Sequence, residues 1–224
     1  MRSVTPLVAL HFTPMEEIPL ILAADGMFIV GGLGCCAVVC APLLWGIAVY
    51  NGLRTKQVRA RNAFSQIDVQ LKRRHDLIPN LVEAVKGYMA HERGTLEAVI
   101  AARTRAAGAL STLSAEGGAL SIASMTSLAN ASGVLDGALH RLIGLVERYP
   151  ELKANQNALQ LQEELVSTEN RIAFARQAFN DSVMRLNESI VVFPSSIVAK
   201  TFAIAPMGLF EAETSERALP SVKL

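Results

Sequence analysis

Three cysteines among 224 residues are too few for a disulfide scaffold. Aromatic residues are scarce as well, with eight Phe, three Tyr and one Trp in a chain that is 51% hydrophobic. Charged residues make up 18%, below the usual quarter of a soluble domain, yet so apolar a chain is not a disordered one. The net charge of +1 conceals an uneven layout. Residues 1–50 hold one base against three acids, whereas residues 51–75 hold seven bases against one. Confining the basic excess to one short stretch disfavours a nucleic-acid binder. The length allows one domain plus an anchor.

The most pronounced absence is of charge between Gly26 and Tyr50, 25 residues without one ionisable acid or base of the Asp, Glu, Lys or Arg kind. At about 1.5 Å per residue, such a helix reaches across a hydrocarbon core of about 30 Å with some tilt. The expectation is a transmembrane helix over 26–50, kinked at Pro42, with Trp45 and Tyr50 near the interface. The run starts too late and is too long for a cleaved signal peptide. Cys35 and Cys36 follow Gly32-Leu33-Gly34 in the manner of a lipidation site, but 14 further residues of the run follow Cys36, which favours an anchor. Gly32, Cys36 and Cys40 fall at i, i+4 and i+8, a small-residue face through which a second helix could approach. Self-association through that face is one expected interaction.

Arg54, Lys56, Arg59 and Arg61 follow the run with no acid before Asp68, while only Arg2 precedes it. The positive-inside rule therefore directs the C-terminal part to the cytoplasm. The same juxtamembrane basic residues suit anionic membrane lipid headgroups.

Beyond residue 51 the pattern is helical. Phe64, Ile67, Leu71, Arg74, Ile78, Leu81, Val85 and Tyr88 recur at alternating steps of three and four, and the phase survives Pro79. That favours a continuous helix over a fresh start capped by Asp76. Further seams run through Leu96, Ile100, Arg103, Ala107, Leu110 and Leu113, and through Leu135, Leu139, Leu142, Val146 and Tyr149. The longest joins Leu161, Leu165, Thr168, Ile172, Ala175, Phe179, Val183, Leu186, Ile190 and Phe193. Breaks fall at His91–Gly94, at Ser111–Gly133 (mobile or partly helical) and from Tyr149 to Asn155. No run of alternating β-branched residues appears.

The expected fold class is all-α: an N-terminal extension (1–25), the transmembrane helix (26–50), an antiparallel four-helix bundle (51–193) and a short helix with an extended tail (194–224). Ile197, Val198, Phe202 and Ile204 suit packing on the bundle end, docking on a partner or dipping into a membrane surface. Pro206, Pro220 and the polar Glu211–Leu224 suggest a frayed terminus.

Catalytic patterns are missing. The four histidines (11, 75, 91, 140) include no pair at helical zinc spacing, and no Glu-x-x-His repeat points to a di-iron bundle. There is neither a phosphate-binding glycine loop after a strand nor a serine nucleophile elbow. No metal, cofactor or small-molecule substrate is expected. What remains is polar: Asp68, Arg74, Asp76 and Asn80 on one stretch, Glu163, Glu164, Glu169, Asn170 and Arg171 on another. If the two face each other, Arg74 at its seam position needs a carboxylate, with Glu164 or Glu169 available. Such a cluster is either a buried network fixing helix register or a polar binding surface.

The stretches SQIDVQLKRRHDLIPNLVEAVKGYMAH (65–91) and QLQEELVSTENRIAFARQAFNDS (160–182) resemble the LemA family of bacterial membrane proteins. The likeness extends to ERGTLEAVIAAR (92–103), RYPELKANQN (148–157) and the FP…F…F pattern of 193–210. The resemblance implies one N-terminal anchor, a helical bundle, no assigned catalytic residues and no agreed cofactor. Genes of the family often neighbour a membrane zinc metalloprotease. Its MamQ branch, which carries extensions ahead of the anchor like residues 1–25, supports magnetosome membrane formation. The expected function is that of a membrane-anchored scaffold or interaction protein without catalytic chemistry. An adaptor of an envelope metalloprotease is the alternative.

Overall fold

The computed structural model describes residues 18–89, 91–115, 120–153 and 155–211, with the backbone alone for 18–37, 39 and 153. Six helices follow in order: α1 (Ile18–Lys86), α2 (Arg93–Ala115), α3 (Ile122–Val146), α4 (Pro150–Lys153), α5 (Gln156–Val191) and α6 (Ser195–Thr201). There is no strand among the described residues. The chain divides into two units, Met1–Ala48 and Val49–Leu224.

The first unit contains the start of α1. Its described side chains include Val38, Leu43, Leu44, Trp45 and Ile47, all exposed. Among the described residues no helix is long and apolar enough to cross a membrane. Most of the 26–50 run, with Gly32 and Cys36, lies outside the residues whose side chains are described, as does the whole extension 1–25. Cys40 is exposed.

The second unit is a helical bundle whose interior has two apolar layers. One gathers Phe64, Ile67 and Leu71 of α1, Leu110 and Leu113 of α2, Met125 and Leu128 of α3, and Ile172, Phe179, Val183 and Leu186 of α5. The other gathers Ile78, Leu81, Val85 and Met89 with Leu96, Val99, Ala102 and Ala106, then Leu135, Leu139, Leu142 and Val146, and finally Ala158 and Leu165. Successive helices visit the layers in opposite order, so the chain runs up, down, up and down through the core. Burial of apolar side chains recurring at three- and four-residue steps is what holds each helix there.

Local signals set the ends. Ser121 caps α3 by accepting from the Ser124 amide, and Asn155 caps α5 by accepting from the amides of Asn157 and Ala158. Within the Ser111–Gly133 stretch, α2 continues to Ala115 and α3 starts at Ile122, because Leu113, Met125 and Leu128 find burial in the first layer. The seams differ from the sequence expectation at three places: Phe193, beyond the end of α5 at Val191, is exposed, and the other two lie at the end of α1 and on α2. Tyr88 lies outside the core and Met89 is buried in its place, since α1 has ended at Lys86 and the chain turns there. On α2 the buried line is Val99, Ala102 and Ala106, one position before Ile100, Arg103 and Ala107. Small alanines carry little hydrophobic signal but let α2 and α3 pack closely.

The segment 204–210 is fixed on the bundle, so no fraying begins at Pro206, while the polar tail beyond Glu211, with Pro220, lies outside the described residues. Met207 donates to Asn187 Oδ1 (3.0 Å) and accepts from Asn187 Nδ2 (2.8 Å), and the Phe210 amide donates to Asn180 Oδ1 (2.8 Å). Gly208 donates to the Leu120 carbonyl at 3.0 Å. A Cβ at Gly208 would meet Ile122 Cα at 2.7 Å, so only glycine permits this approach to the start of α3. Met207 and Phe210 thereby complete the first apolar layer, and Arg176 stacks 4.7 Å from the Phe210 ring centroid.

Candidate functional site

Between the two apolar layers lies a polar one. Four buried polar residues mark the bundle interior: Arg74 and His75 on α1, Ser132 on α3 and Thr168 on α5. Arg74 falls at a core-facing step between Leu71 and Ile78, which drives its guanidinium inward. Its side chain is only 4% exposed, and Nη1 sits 2.5 Å from Asp136 Oδ1 and 3.0 Å from Glu169 Oε2. Neither contact has hydrogen-bond alignment, so the attraction is chiefly Coulombic. The carboxylates come from different helices, α3 and α5, and one arginine thus ties three helices in register.

The neighbouring His75 owes its surroundings to Pro79. A proline has no amide hydrogen, so the carbonyl four residues earlier, that of His75, loses its helical partner. Arg103 Nε on α2 supplies the missing donor at 3.1 Å. This one bond explains why α1 continues through Pro79, and it ties the fourth helix to the same layer. Burial, then the positive charges of Arg103 and Arg74, push the His75 imidazole down from 6.5 to about 4, against a smaller opposing pull from Asp76. His75 is therefore neutral near pH 7, and its Nε2 is buried without a hydrogen-bond partner.

The other polar residues singled out in sequence are dispersed. Asp68 pairs with Lys72 one turn on (2.7 Å), and Glu164 pairs with Arg73 (3.4 Å) instead of with Arg74. Asp76, Asn80, Asn170 and Arg171 are exposed, with Asn170 on the rim of a cleft that Arg74 and Glu169 also line. Glu163 is exposed on α5. His75, Ser132 and Asp136 belong to the layer but to none of the seams read from the sequence, while Arg103, a seam position, joins it through its bond to the His75 carbonyl. Asp136 had a signal in its position beside Leu135, at the margin of a seam. Arg103 had one in its placement on α2 opposite a proline-containing helix.

At the other end of the second unit, Arg54 Nε donates to the Tyr50 hydroxyl (3.0 Å) and its guanidinium lies 5.3 Å from the Tyr50 ring centroid. Lys56 bonds the Ser189 hydroxyl, while Arg59 and Arg61 are exposed. Among the described residues no three His, Cys, Asp or Glu side chains gather in a way that would hold a metal ion. The ion layer has charges already matched to one another, an arrangement suited to fixing helix register.

Fold and site together define an all-helical bundle protein with an internal ion layer. The chain belongs to the LemA family, whose family model matches residues 63–224. It is 29% identical over 163 residues to magnetosome protein MamQ of Magnetospirillum gryphiswaldense, covering 67% of this chain and 60% of that protein. To protein LemA of Metamycoplasma hominis it is 26% identical over 167 residues, covering 75% of this chain and 71% of the relative. Magnetosome protein MamQ 2 of Paramagnetospirillum magneticum is 27% identical over 163 residues, again covering 67% and 60%. The chain thus spans about 60% of the length of the MamQ relatives it matches. The resemblance read from the 65–91 and 160–182 stretches is borne out at the level of the family.

Proposed function

We propose that this protein is a membrane-anchored, non-catalytic scaffold of the LemA type. The observation that carries the reading is the charge-free run Gly26–Tyr50 followed at once by Arg54, Lys56, Arg59 and Arg61. A span of that length and lack of charge anchors the chain, and the basic residues after it hold the bundle on the cytoplasmic side. The exposed Val38, Leu43, Leu44 and Ile47 fit lipid contact. An antiparallel four-helix bundle with a self-matched ion layer is built to present surfaces and to keep them in register. The similarity to magnetosome proteins favours a role in organising a membrane compartment, the magnetosome membrane included.

Crosslinking of the tagged chain in its native membrane, followed by mass spectrometry, tests this. The expected result is self-crosslinks, through the Gly32, Cys36 and Cys40 face among others, together with membrane-shaping or iron-vesicle proteins. A dominant metalloprotease partner would replace the scaffold with an adaptor. Capture of unrelated neighbours alone would overturn both.

A further inference from the structure

The exposed apolar side chains of the second unit are unevenly distributed. Most stand singly, such as Phe174 in the middle of α5, but the last turn of α5 and the α6 region expose Val191, Val192, Phe193, Ile197 and Phe202 within a dozen residues. Val191 is 76% and Phe193 75% exposed, values that no buried-core role explains. Exposed apolar side chains gathered in so short a segment mark a docking site.

What it docks on follows from its neighbours. Beneath the exposed residues, Val198, Ala199 and Ile204 pack with Leu53 into a small third core, to which Val49, Tyr50 and Ile190 add. The Phe202 ring lies 4.6 Å from that of Tyr50, the last residue of the charge-free run. The apolar surface is therefore built around the point at which the chain passes into that run. Bases stand beside it: Arg54 rests over the Tyr50 ring, Lys56 bonds Ser189 and Lys200 lies on α6, while neither Asn51–Ile67 nor Ser189–Phe210 contains an acid. The exposed Glu188, one turn before Val192, is an acid beside the patch, and Asp68 and Glu211 flank the two segments. Apolar side chains with Arg54, Lys56 and Lys200 close by and aromatic rings beside them suit the boundary between acyl chains and anionic headgroups.

We infer that the 191–202 region is an interfacial lipid-docking surface, with Val191, Val192, Phe193, Ile197 and Phe202 entering the bilayer boundary and Arg54, Lys56 and Lys200 meeting anionic headgroups. The inference rests on the anchor reading above, but it concerns a separate part of the chain. It makes α6 a second membrane contact, one that limits how the bundle tilts.

The full chain in proteoliposomes of phosphatidylcholine and phosphatidylglycerol tests it, because the single Trp of the sequence is Trp45. Fluorescence quenching by lipids brominated in the acyl chain is measured for the wild type, for W45F/F193W and for W45F/F174W. W45F/F202W serves as a second reporter if the first variant fails to fold by circular dichroism. The expected result is strong quenching of the wild type and of F193W, and loss of that quenching for F174W. Quenching of F193W without quenching of Trp45 supports the docking surface and overturns the anchor. Quenching of Trp45 with F193W no more quenched than F174W overturns the docking surface and leaves the anchor. Absence of quenching at both sites overturns both, and a blue-shifted but unquenched F193W shows a protein covering the patch, which also overturns the proposal. Replacing phosphatidylglycerol by phosphatidylcholine is expected to lower F193W quenching. Equal quenching would overturn the part assigned to Arg54, Lys56 and Lys200.

Discussion

The two apolar layers of the bundle are filled by different means. The first is aromatic: Phe64 and Phe179 meet edge to face with centroids 5.7 Å apart, and Phe210 arrives from a strap that follows α6. The second holds no phenylalanine and is filled by aliphatic residues and alanines, with Leu152 of the short α4 set against it. Rings give area quickly but leave gaps of awkward shape, and the strap fills what the four helices cannot. Small residues fill space by letting backbones approach. Between the layers, the Arg74 group separates two solutions to the same packing problem.

The sharpest way to break the aromatic layer is Phe179→Ala. A fully buried ring lost from a layer with few rings costs about 3–5 kcal/mol, read as a lowered thermal midpoint of the detergent-solubilised chain. The matching truncation in the second layer, Leu165→Ala, costs nearer the lower end of about 2–5 kcal/mol, because its neighbours at the half-buried edge can relax. Equal losses would show that the layers do not differ in how well they collapse.

The layer between them is expected to respond asymmetrically. Asp136→Ala with Glu169→Ala leaves Arg74 buried and unmatched, at a cost of about 3–5 kcal/mol. Arg74→Met costs about 1 kcal/mol or less, since the two carboxylates are 23% and 36% exposed and regain water. Denaturant titration of both variants checks the difference, and a larger loss for Arg74→Met would contradict it.

Protonation probes the same layer. The folded state holds the His75 pKa below its unfolded value, at about 4 instead of 6.5, so the unfolded chain binds the extra proton first. Stability contributed by the neutral ring is complete above about pH 6.5 and declines as pH falls towards 4. The full change is on the order of 3 kcal/mol. Melts across that range should show the decline, and His75→Gln should flatten it.

A further modest effect isolates the proline device. Arg103→Met removes the donor to the His75 carbonyl and costs about 1–2 kcal/mol, a loss that shrinks when Pro79→Ala restores an amide at position 79. A double-mutant cycle reads the coupling directly.

The helical character and the principal seam of α1 were legible because Phe64, Ile67, Leu71, Ile78, Leu81 and Val85 keep one phase. On α2 the seam holds at Leu96, Leu110 and Leu113 but lies one position earlier between them, because alanines at 102 and 106 signal weakly and Arg103 lies near the core for a hydrogen bond and not for packing. Sequence demanded a carboxylate for Arg74 and offered Glu164 or Glu169. The geometry supplies Glu169 and adds Asp136, which stayed hidden because α3 begins inside a stretch of Ala, Ser and Gly that resembles a linker. The strap was equally obscure, since its order comes from Asn180 and Asn187, far back in the chain, and not from local propensity.

That strap sets a schedule for synthesis. Met207 and Phe210 complete a layer whose first members, Ala60 and Phe64, leave the ribosome long before them. The aromatic half of the bundle therefore stays open until translation has passed Phe210. The aliphatic half, complete by Leu165, is free to close earlier. A nascent chain halted between those two points would show an assembled half beside an unfinished one, with its phenylalanines available to chaperones.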